Sequence, residues 1–94
     1  MNTQDRVRRI VDETDMSEQT AALVVSQMPR LFAVVIEHED DVAPEVIGWG
    51  MAREADAHMV SADGRNYYAL AEAKNALNYV RSAPDATPHF VWVA

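Results

Sequence analysis

Six consecutive apolar residues, Leu31 to Ile36, follow Pro29 and a single arginine. Proline ends a preceding helix, and six residues is an ordinary strand length. In a strand, Phe32, Val34 and Ile36 point one way and Leu31, Ala33 and Val35 the other. Both faces are apolar, so the strand must be covered on both sides. The tail makes the same demand: His89 to Val93 carries Phe90 and Trp92 on one side and Val91 and Val93 on the other. A 94-residue chain has little material with which to cover two faces.

Ahead of Pro29 the period is helical. Val7, Ile10 and Val11 form a narrow stripe on a helix over 3–14. Ser17 is the expected N-cap of a second helix reaching about Met28, with Glu18 at its positive end and Ala21, Val24, Val25 and Met28 on its buried face. After the acidic turn around Pro44, Val46 to Arg53 reads as a strand. Ile47, Trp49 and Met51 share one face, and Val46, Gly48, Gly50 and Ala52 the other. The latter are small enough to admit something packed closely. A short strand over 57–62 ends at the turn signal Asp63-Gly64. Residues 68–82 read as a helix with the stripe Leu70, Ala73, Leu77 and Val80 and with Arg81 at its negative end; Pro84 and Pro88 bound the loop after it. The order is α-α-β-β-β-α-β. The expected fold is α+β: an antiparallel sheet of about four strands, a helix from the C-terminal half on one face, and N-terminal helices. It is read as a single domain over 1–94, with a helical segment 1–29 and a ββ(β)αβ unit 30–94.

Composition excludes several classes. There is no cysteine, so disulfides, thiolate catalysis and cysteine zinc sites are absent. The net charge of −7 disfavours phosphate backbones and anionic membranes. It suits a basic protein partner. No apolar run approaches a bilayer span, and no apolar signal segment follows the charges of Met1 to Arg9, so a cytoplasmic location is expected.

Chemistry-bearing residues form no recognised motif. His38-Glu39-Asp40-Asp41 could hold a hard cation or use His38 as a base, but it matches neither an EF-hand nor a zincin and reads first as a solvated strand end. His58 and His89 are isolated in sequence. Arg6, Arg8 and Arg9 followed by the capped helix from Ser17 to Gln27 outline a helix-turn-helix. That second helix carries no cation to meet phosphates. Tyr67-Tyr68 and Tyr79 could stack bases, yet no basic groove accompanies them, and tyrosines beside an amphipathic helix usually seal a core edge. Gly48, Gly50 and Gly64 build no phosphate loop, and Ser17, Ser26, Ser61 and Ser82 sit in no nucleophile elbow. No catalytic residue, metal ligand or cofactor is assigned.

Tyr67, Ala73-Lys74-Asn75, Leu77, Val80-Arg81 and Ala83-Pro84-Asp85-Ala86, with Trp49 and Met51 on a preceding strand, resemble the YegP-like family of small proteins. The likeness spans about residues 46–86. It implies a three-stranded sheet with one helix, often paired into a larger symmetric unit, and no catalytic residue.

The demand for two covers points to a non-enzymatic interaction protein that pairs with itself. Leu31, Val35, Val46, Phe90 and Trp92 are the expected interface residues of a homodimer if helix 17–28 does not cover the second face. A DNA-binding regulator using residues 3–28, and a metal-binding or catalytic protein around 38–41, are the alternatives.

Overall fold

The computed structural model describes residues 2–39, 41–80 and 84–93. Asp40 of the acidic turn, and Arg81 and Ser82 of the expected helix end, lie outside them.

α1 (Thr3–Thr14) starts where Asn2 Oδ1 accepts the Asp5 N–H at 2.8 Å. It ends at Asp15, whose φ of 60° is left-handed and whose N–H closes onto the Val11 carbonyl. α2 (Glu18–Ser26) begins at the expected cap, with Ser17 Oγ accepting the Thr20 N–H at 3.2 Å. The helices pack as a hairpin. Ala21 and Val25 of α2 are buried, while Val7, Ile10 and Val11 of α1 are only half-buried.

Five strands follow: β1 (Arg30–His38), β2 (Glu45–Ala52), β3 (Ala57–Ser61), β4 (Tyr67–Leu70) and β5 (Ala86–Trp92). All pairings are antiparallel, in the order β4-β3-β2-β1-β5. A 3-10 helix (Ala73–Tyr79) carries the chain from edge strand β4 across one face to edge strand β5. The fold is α+β as expected, with one strand more than the four anticipated.

The additional strand comes from the stretch expected to be helical over 68–82. Tyr67–Leu70 pairs with β3, and only Ala73–Tyr79 winds. The physical reason is non-local. The Asp63-Gly64 turn, with Gly64 at φ 76°, returns the chain alongside β3. The outer edge of β3 would otherwise leave its N–H and C=O groups without partners, and aromatic Tyr67 and Tyr68 suit a pleated surface. The apolar stripe survives the change of backbone: Leu70 and Ala73 are buried, and Leu77 and Val80 pack against them. β5 begins at Ala86, three residues before the expected His89. Pro88 is tolerated because β5 is an edge.

Directly paired residues share a face. On one face Phe32 and Val34 are fully buried, together with Met59, Leu70 and the 3-10 helix. The Phe32 ring stacks on Phe90 at 4.9 Å and meets Trp92 edge-on at 6.0 Å. It also lies across its cross-strand neighbour Gly50, where a Cβ would fall 2.1 Å from the ring Cζ. This close approach is what the small face of β2 admits. A bulge alters the rest of that face. Val34 pairs with Gly48 and Val35 with Val46, which leaves Ile47 as the extra residue. Ile47 therefore packs on the covered side and does not join Trp49 and Met51, and Val46 joins Val35 on the other face.

That other face has no cover. Among the described residues, neither helix of the hairpin packs on a strand. The molecule is elongated, 52 × 29 × 22 Å, with a radius of gyration of 16.7 Å, where a compact chain of this length would have about 12 Å.

Candidate functional site

The site built by this architecture is the uncovered sheet face. Strand pairing assigns its apolar members: Leu31, Ala33 and Val35 from β1, Val46, Trp49 and Met51 from β2, Val60 from β3, Tyr67 from β4 and Val91 from β5. All but Ala33 and Val35 are exposed; Trp49 stands 52% open and Leu31 45%, against zero for Phe32. Single exposed apolar residues are normal, but a contiguous apolar face across five strands marks an interaction surface.

The face runs on without a break into the hairpin. Ile10, Val24, Val25, Met28 and Leu31 line one apolar groove, with Arg6, Arg9 and Arg30 around it. Sheet face and hairpin flank thus meet at Met28–Leu31. No described helix is long and apolar enough to cross a membrane.

A polar chain sits at the rim of a shallow hollow lined by Leu31, Trp49, Met51, His58, Val60 and Tyr67. The tight turn from β2 to β3 brings Arg53 and Asp56 together, with Arg53 Nε and Nη2 donating to the two carboxylate oxygens at 2.9 and 2.7 Å. This guanidinium holds the Asp56 carboxyl below its usual range. The His58 Nε2 lies 3.5 Å from Asp56 Oδ2, and the Tyr67 hydroxyl is hydrogen-bonded to His58 Nδ1. The order Arg53, Asp56, His58 and Tyr67 orients a tyrosine and satisfies its hydroxyl within the protein, so the ring lies on the face with its polar end already occupied.

This chain of four was not singled out from the sequence. The signal that could have found it is alternation: His58 and Tyr67 fall on one face only once 67–70 is read as a strand, and a helix over 68–82 hides the pairing. Two of the expected interface residues are also elsewhere. Phe90 and Trp92 belong to the covered face, where Trp92 is held between Phe90 and the Arg30 guanidinium, 3.9 Å above its ring. Their register partners Val34 and Phe32 dictate this, since paired residues point the same way. Leu31, Val35 and Val46 do lie on the open face.

The other candidates do not converge. His38 pairs with Glu45 at 3.2 Å and His89 with Glu37 at 2.8 Å. His58 and His89 stand three strand spacings apart, about 14 Å. Among the described residues no three His, Asp or Glu side chains could hold a metal ion together. Tyr68 tilts against Tyr79 at 5.0 Å on the covered face while Tyr67 lies on the open one, so the three tyrosines form no common platform.

No family model, curated protein or solved structure matches this chain. The functional reading therefore rests on the open face itself.

Proposed function

We propose that the protein is a non-enzymatic interaction protein acting in the cytoplasm as a homodimer, with the uncovered sheet face as its seam. One observation carries the reading. A sheet apolar on both faces has a cover on only one, and the helices able to supply the second are held away from it. Surface area gives the magnitude. The chain exposes 7022 Å², whereas a compact monomer of 10.5 kDa exposes about 5,400 Å², the value of 6.3 M^0.73. The excess, about 1,600 Å² per protomer, matches what an obligate homodimer removes from water. The resemblance of residues 46–86 to YegP-like proteins, often paired into a symmetric unit by tandem repetition or dimerisation, is compatible with this reading. Sedimentation equilibrium at tens of micromolar is the test. A particle of about twice 10.5 kDa is expected, and a persistent 10.5 kDa species overturns the reading.

A further inference from the structure

We infer that the second copy seats its α1–α2 hairpin, rather than its sheet, on the open face, each protomer covering the other. The inference rests on the homodimer reading and names the segment that fills the seam.

Three observations favour the hairpin as occupant. The first is that it cannot stand alone. Helices of 12 and 9 residues are marginal by themselves in water. Their mutual packing buries only Ala21 and Val25, and Val24 and Met28 remain about half exposed beside that stripe. The second is the connection. Gln27, Met28 and Pro29 alone separate α2 from β1, and a residue before proline is pushed to extended backbone. The chain passes from helix into strand without turning back, which holds the hairpin beyond the end of its own sheet. The third is size. Two packed helices of about 18 and 14 Å cover a patch about 20 Å wide. The open face, five strands at about 4.8 Å, is equally wide. A two-fold axis near Leu31 lays each hairpin along the other sheet and closes the groove of both copies at once.

The absence of cysteine makes the test clean. Val24→Cys on the hairpin and Val60→Cys on the sheet are conservative changes at exposed positions. The two full-length variants are mixed, re-equilibrated and treated with a short bifunctional maleimide, beside each variant alone and a chain carrying both changes. The mixture is expected to give crosslinked dimer at least several-fold above either variant alone, and the doubly changed chain is expected to link between copies. Dominant linkage of Val60→Cys alone means sheet against sheet, and dominant linkage of Val24→Cys alone means hairpin against hairpin. Closure of the doubly changed chain on itself means docking within one copy. Each of these, or no linkage at all, in a particle that sediments as a dimer overturns the hairpin exchange and leaves the dimer standing. A monomer in sedimentation overturns both.

Discussion

The two faces of one sheet are built from the same strands and nearly the same residue types, yet only one has a cover. On the first, Phe32, Val34, Met59 and Leu70 lie under the 3-10 helix, with the Phe32 ring over Gly50 and the Met59 side chain over Gly48. On the second, Trp49, Met51, Leu31 and Val91 stand in the open beside a helical hairpin that reaches past the sheet. Apolar character alone therefore does not make a core. A core needs a partner element that the connections allow to arrive. The crossover from β4 to β5 must pass over one face, so that face is covered by topology; the link at Pro29 releases the hairpin from the other.

The largest effect that sharpens this contrast is Phe32→Ala. It deletes a fully buried ring and its stack on Phe90, and a loss of about 3–5 kcal/mol is expected in denaturant unfolding, much of the stability of a small domain. Gly50→Ala comes next, because its Cβ would enter the space of that ring. Overpacking of this kind costs about 1–3 kcal/mol, and the same experiment reads it. The matching change on the open face, Leu31→Asp, should leave the circular dichroism of the fold intact and weaken dimerisation about tenfold or more in sedimentation. Global unfolding by Leu31→Asp would break the contrast.

Smaller effects are expected at the rim. Tyr67→Phe removes the hydroxyl bonded to His58. A loss of about 0.5–1.5 kcal/mol should follow, with a change in the His58 ring nitrogen resonances by NMR. The smallest effect is pH dependence. Arg53 holds the Asp56 carboxyl down, and the Ser61 hydroxyl, with the Arg65 N–H, does the same for Asp63. Both groups bind a proton more readily unfolded than folded, so their contribution is present above the ordinary carboxylate value of about 4 and is lost as pH falls through the lower folded values. Melting temperature should fall slightly between pH 5 and pH 3, and less so in Asp56→Asn.

Much of the fold was legible as local pattern. The stripe of α1, the Ser17 cap, the two faces of β1, the Gly48 and Gly50 positions of β2 and the Asp63-Gly64 turn are short-range features, and each is found where the residues put it. What was missed depends on neighbours far along the chain. Tyr67–Leu70 is a strand because β3 offers an edge. Ile47 changes face because β1 and β2 are mispaired by one residue at the bulge. Phe90 and Trp92 point inward because their register with β1 makes them. Alternation puts Leu31 and Val35 on one face of β1, but Val46 reaches that face only through the bulge, and the Arg53–Asp56–His58–Tyr67 chain escaped because it needs β3 and β4 side by side.

Residue order by itself determined that this chain would have helices before Pro29 and, after it, strands that are apolar on both faces. Periodicity and turn chemistry act over a few residues, so they can be read without knowing the fold. Tertiary structure alone decided which face the crossover covers, which edges are completed, and that the hairpin stands clear of the sheet. Those outcomes follow from strand order and register, which bring together residues that local sequence does not relate.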